Sequence, residues 1–174
     1  MDFMTLARER YSLRKFSDRK VEREKLEQIL EAGQLAPTAK NLQPQRYLVL
    51  QGEEALRKLQ DCTTSHFHAP LAIVVAYDKT QSAIRDDGFD YGQSDASIAA
   101  THMMLALCEM GLGATWVGAF DEKKVREAYD FDENIFLQAI LVIGYPAEGA
   151  KPSAKHTDRK LLSEVTFFDS WGKA

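Results

Sequence analysis

The sequence predicts a single domain that mixes helices with short buried strands, and three observations carry that reading. Leu71 to Tyr77 is a continuous apolar, β-branched run bounded by Pro70 and Asp78, which suits an interior strand covered on both faces. Other segments repeat their apolar residues at helical spacing, i, i+3 and i+4. At 174 residues the chain can bury one sizeable core without disulfide or metal staples. No linker, internal repeat or low-complexity block divides residues 1–174, so one domain is expected.

Taken in order, Asp2 is placed to cap a first helix, with Phe3, Leu6 and Ala7 on one face, ending near Arg10. A second helix starts near Glu22, carries Leu26, Ile29, Leu30 and Gly33 on one side, and stops before Pro37. Asn41 to Pro44 reads as a loop and Tyr47 to Leu50 as a short strand; Ala55, Leu56 and Leu59 mark a helix behind Gly52. After the Leu71 strand, Arg85 to Asp95 reads as a polar loop. Ser94 or Asp95 then caps a long helix, apolar almost all round, that reaches Met110 and ends at Gly111 and Gly113. Such a helix belongs in the middle of the molecule or at a subunit interface. Ala114 to Val117 is a strand, Asp121 caps a helix to Tyr129, and Leu137 to Ile143 is a second buried strand. A cationic stretch, Lys151 to Lys160, precedes Leu161, Leu162, Val165, Phe167, Phe168 and Trp171, an ending too apolar to stay in water. A second copy of the chain is a natural surface for it.

Composition excludes several classes. Twenty-two Lys and Arg face 26 Asp and Glu, so no broad basic surface points to nucleic acid. No apolar run approaches membrane-spanning length. Two distant cysteines, Cys62 and Cys108, point to a reducing compartment, and the acidic start Met1-Asp2-Phe3 is unlike a secretory signal, so the expected location is cytoplasmic.

Three segments carry candidate chemistry. In Arg10-Tyr11-Ser12-Leu13-Arg14-Lys15-Phe16, an extended chain places Arg10, Ser12 and Arg14 on one side. Two guanidinium groups and a hydroxyl there can hold a phosphate, although from this motif alone a solvated basic turn between two helices is the plainer reading. In Leu35 to Pro44, two prolines bracket small residues and two amides, a rigid accessible backbone that a planar ring could approach; a plain turn also fits. Gly111-Leu112-Gly113-Ala114-Thr115-Trp116-Val117-Gly118-Ala119 is no dinucleotide fingerprint, because its glycines follow a helix when they should open one. No separate nicotinamide-binding domain is therefore encoded.

In this order, these segments and the basic pair Arg159-Lys160 before Leu162 to Val165 resemble the nitroreductase family of FMN enzymes over nearly the whole chain. The matching motifs are R-x-S-x-R-x-F at Arg10 to Phe16, A-P-T-x-x-N-x-Q-P at Ala36 to Pro44 and G-L-G-x-x-W-x-G at Gly111 to Gly118. The resemblance implies an α+β fold with a mixed, mainly antiparallel central sheet flanked by helices. It also implies a homodimer whose tail, about 151–174, packs on the partner, with FMN at the interface and NADH or NADPH as electron donor. Carried over residue by residue, Arg10 and Ser12, with Arg159 or Lys160, are expected around the FMN phosphate, Tyr11 between them is expected to touch the cofactor, and Arg14 is expected near the pyrimidine edge of the ring. Pro37, Thr38, Ala39 and Asn41 form the partner's wall against the flavin, and the backbone of Trp116, Val117, Gly118 and Ala119 faces its N5.

The implied reaction passes electrons in ping-pong fashion from NAD(P)H through FMN to a small-molecule acceptor such as a nitroaromatic, quinone or flavin. Alternatives on the same fold are reductive dehalogenation, flavin fragmentation, enone reduction, or a dimer that holds flavin without turnover. Other reactive residues are set aside. His66 and His68 near Cys62 lack a fourth spaced metal ligand. Asp86, Asp87, Asp90 and Asp95 do not fit a calcium loop and read as solvated charges, with Asp95 a cap. His102 and Cys108 read as packing residues of the long helix.

Overall fold

The computed structural model describes residues 1–172, so the last two residues of the expected tail lie outside the described residues. A four-stranded sheet runs in the order β1-β2-β4-β3, with β1 at Gln45–Leu50, β2 at Leu71–Asp78, β3 at Gly113–Val117 and β4 at Ile135–Gly144. All three pairings are antiparallel. The α+β class is as expected, and among the described residues the parallel character reduces to one bridge, Ser12 to Ala114, at the β3 edge.

β2 is buried along its whole length. Leu71, Ile73, Val75 and Tyr77 share one face with Leu141 and Ile143, while Ala72 and Val74 share the other with Ile140 and Val142. Both faces are apolar because helices cover both. On the first lie α2 (Arg23–Gln34) and α4 (Gly92–Glu109); on the second lie α3 (Glu53–Cys62) and α5 (Glu122–Tyr129). Each large aliphatic side chain fully buried there contributes about 1.5–3 kcal/mol. Gly33 permits the α2–α4 approach, since a Cβ at that position would overlap Met103.

Asp2 caps α1 (Phe3–Glu9) by accepting the Thr5 N–H at 3.1 Å, and Asp121 caps α5 through Lys124 N at 3.1 Å. The expected start of α4 is corrected. The helix begins at Gly92, because Asp90 accepts the Gly92 N–H at 2.9 Å and the missing Cβ lets Gly92 sit against the Tyr77 ring. Asp95 therefore lies inside the first turn and is buried, and neither it nor Ser94 is the cap. Gly111 turns the chain out of α4 with φ near 73°, whereas Gly113 is already in β3, where its bare Cα leaves room for Leu13. Strands β1 and β4 start two residues earlier than expected, because pairing with Tyr77 and Asp78 extends both ladders. The chain closes with the four-residue helix α6 (Leu162–Val165). Among the described residues no helix is long and apolar enough to cross a membrane.

Candidate functional site

The segment between α1 and α2 is anchored by one apolar side chain. Leu13 is buried; its N–H donates to the Ala114 carbonyl at 3.1 Å, and its own carbonyl accepts the Thr115 hydroxyl at 2.5 Å. With Leu13 inward, Ser12 and Arg14 turn outward. The tail returns over them through a tight turn at Ala154–Thr157, where His156 Nε2 lies 2.9 Å from the Arg8 carbonyl. Together they enclose a cavity of about 280 Å³ lined by Arg10, Tyr11, Ser12, Arg14, Ser153, Lys155, His156 and Arg159. No carboxylate is in that lining. Four cations and three hydroxyls around so small a volume suit one phosphate group. Of the two tail cations expected here, Arg159 lines the cavity and Lys160 does not. Sequence reading missed Ser153, Lys155 and His156. Their cationic stretch was visible, but only the turn at residues 154–157 decides which of its side chains face inward.

Beyond this cavity, the end of β3 offers backbone. Val117 is buried, Trp116 half-buried against the α2–α4 core, and Gly118 and Ala119 are exposed. The Ala119 carbonyl accepts the Thr63 hydroxyl at 2.7 Å and the Asp121 N–H donates to the Cys62 carbonyl at 2.8 Å, so the chain is held where it leaves β3. A Cβ at Gly118 would meet only Trp116 Nε1, at 3.9 Å, which leaves open space against the main chain.

The loop from Pro37 to Pro44 holds three non-glycine residues in the left-handed region: Lys40, Asn41 and Gln43, with φ of 54°, 55° and 52°. Such backbone costs energy unless neighbours impose it. Thr38 Oγ1 accepts the Gln43 N–H at 3.1 Å, the Thr38 carbonyl accepts that of Asn41 at 3.0 Å, and Asp95 Oδ1 accepts that of Ala39 at 2.9 Å. Asp95 is only 2% exposed and its Oδ2 has no partner. Burial pushes its carboxyl above the usual carboxylate range, against the lowering effect of the Ala39 N–H. The reading of Asp95 as a solvated charge is thus corrected, as is that of Asp90, which is half-buried and accepts the Tyr77 hydroxyl at 3.2 Å.

The phosphate-type cavity and the strained loop lie at opposite corners of the sheet. Ala114, beside Ser12, is level with Ile143 and Leu71 on the β3 edge, whereas Gln45, following the loop, is level with Tyr77 on the β1 edge. The offset is about 20 Å along the strands and about 14 Å across them. Helix α4 bridges the two corners, its first turn holding Ala39 and its last turns, at Leu107 and Cys108, meeting Arg10 and Tyr11.

A larger groove, about 860 Å³, runs between α2 and β1 and includes Glu24, Glu27, Glu31, Gln45 and Tyr47. Its carboxylates suit a cationic segment better than a phosphate. His66 Nδ1 accepts the His68 N–H at 3.1 Å, and among the described residues no cluster of three metal-ligating side chains exists.

The nitroreductase family model matches residues 7–68 and 62–145. A crystal structure of a nitroreductase family protein from Clostridium difficile 630 superposes with a TM-score of 0.92 at 39% identity, covering 98% of this chain and 99% of that one. An FMN-dependent nitroreductase from Clostridium difficile R20291 superposes at 0.81 with 32% identity, covering 97% and 100%. The Bacillus subtilis FMN reductase [NAD(P)H] is 28% identical over 177 residues, 91% of this chain and 71% of that protein.

Proposed function

Because the chain belongs to the nitroreductase family, we propose that it is an FMN-dependent oxidoreductase carrying electrons from NADH or NADPH to a small electron-poor acceptor. The observation that carries this reading is the cavity of Arg10, Ser12, Arg14, Lys155 and Arg159, which is charged and sized for one phosphate group. FMN held by Arg10, Ser12 and Arg159 would supply the redox chemistry, hydride exchange with the nicotinamide and, in ping-pong order, electron delivery to a nitroaromatic, quinone or flavin.

The chain's own part is to bind, orient and tune. Arg10, Ser12 and Arg159, with Tyr11 beside them, hold the phosphate, and Arg14 places positive charge where the reduced ring gains negative charge. Exposed backbone at Gly118 and Ala119, continuing from Trp116 and Val117, faces the reacting edge. Pro37, Thr38, Ala39 and Asn41 wall the ring, but from the partner: the opposite-corner arrangement keeps these two groups of one chain apart. That separation supports a homodimer with shared sites. Residues 1–174 then form one FMN-binding domain, whose tail, with Phe168 81% and Trp171 86% exposed, covers the second copy. Lys160, outside the cavity, lies with that tail.

Steady-state oxidation of NADH and NADPH with a panel of nitroaromatic, quinone and flavin acceptors tests the proposal, together with extraction of the chromophore. Acceptor-dependent turnover by a yellow, FMN-containing protein is expected. Stoichiometric FAD, or a colourless protein indifferent to added FMN, would overturn it.

A further inference from the structure

We infer that Asp95 is a positioning residue: from inside α4, its Oδ1 clamps the Ala39 N–H and so fixes the left-handed turn at Lys40, Asn41 and Gln43 that presents the flavin-facing wall. This rests on the reading of Pro37 to Asn41 as that wall.

The geometry is specific. Asp95 is 2% exposed, and a buried carboxylate is costly to keep unless its contacts repay it. Apart from the Ala39 N–H at 2.9 Å, the carboxyl has an unsatisfied oxygen, Oδ2. A residue serving only to fill the α4 packing site could be apolar, as Ala96, Ala99 and Ala100 are. What the carboxyl adds is one acceptor at the start of a loop in which three residues occupy strained backbone. Thr38 supplies the complementary restraint, accepting the Gln43 and Asn41 N–H groups, so the turn is held at its first residue from α4 and within itself. Burial raises the carboxyl's pKa, but the hydrogen bond needs only an acceptor oxygen, and an amide oxygen provides one.

The test compares Asp95→Ala with the near-isosteric Asp95→Asn, reading hydrogen exchange of the Ala39 amide in the flavin-free protein and the FMN dissociation constant by fluorescence quenching. Asp95→Ala should lose Ala39 protection and raise the dissociation constant about tenfold, the effect of losing one buried hydrogen bond. Asp95→Asn should keep the protection and bind FMN within about threefold of wild type. Unchanged Ala39 protection in Asp95→Ala, or equal damage in both variants, overturns the clamp. Lost protection with unchanged FMN affinity overturns the placement of this loop against the flavin, and with it the positioning role. Should Asp95→Ala not fold, the wild-type amide decides: Ala39 exchanging as freely as an unbonded surface amide overturns the clamp, and slow exchange supports it.

Discussion

The Thr115 hydroxyl donates to the Leu13 carbonyl at 2.5 Å, fastening the Arg10–Arg14 segment to the edge of β3. Thr115 and Leu13 are both buried, so no water replaces the lost donor in Thr115→Val. That substitution should cost about 1–3 kcal/mol, the penalty for a buried unsatisfied acceptor, and weaken FMN binding as Arg10 and Arg14 lose their anchor. Urea denaturation should show a lower midpoint with unchanged slope. An unaltered midpoint contradicts the anchor.

Gly113→Ala acts on the same anchor from the other side. The new Cβ would lie 2.7 Å from Leu13 Cβ, an atom that no rotamer change can move away. Overpacking of about 1–3 kcal/mol is expected, and Leu13→Ala in the same chain should recover part of it. Thermal denaturation of the single and double variants measures the coupling; strict additivity would remove it.

Arg159→Ala should weaken FMN binding by roughly tenfold or more, as loss of a charge-assisted contact to phosphate does. Lys160→Ala should change it little, because Lys160 does not line the cavity. Titration with FMN at two salt concentrations checks both, and the Arg159 effect should shrink as salt rises.

Truncation before Leu161 leaves Arg159 and Lys160 in place while removing Leu161, Leu162, Phe168 and Trp171, all exposed in the single subunit. Assembly and bound flavin should fall together, since a ligand that binds only the dimer stabilises it. Sedimentation with FMN measured on the same samples reads both. A monomeric full-length protein with full FMN occupancy refutes the shared site.

The Glu22 carboxylate is held down to about 2 by hydrogen bonds from the Tyr145 hydroxyl and the Arg19 guanidinium. A depressed carboxyl contributes stability that is present above its unfolded value of 4.5 and is lost as pH falls through that window towards about 2. Tyr145→Phe should move the Glu22 titration upward, followed by carbon NMR of the side chain, and shrink the stability lost on acidification below 4.5, because the folded value then lies closer to the unfolded one. A titration that stays in place contradicts the pairing.

The sequence by itself determined the elements whose cause is local. The β-branched run from Leu71 specified a two-sided strand, the Asp2 and Asp121 side chains specified helix starts, and the Arg-x-Ser-x-Arg segment carried its outward alternation in its spacing. It also carried the order of motifs from which the family was legible. Tertiary structure alone decided where α4 begins, because Asp90 and the Tyr77 ring, brought together by β2, capture Gly92 one turn ahead of the apolar pattern. It alone decided that Asp95 is buried beneath Ala39, that Lys155 and not Lys160 joins Arg159 in the cavity, and that the phosphate-type cavity and the strained loop stand at opposite corners. Periodicity records which face a residue takes on its own element; which element that face then meets depends on contacts between residues far apart in the chain, and no local spacing encodes those.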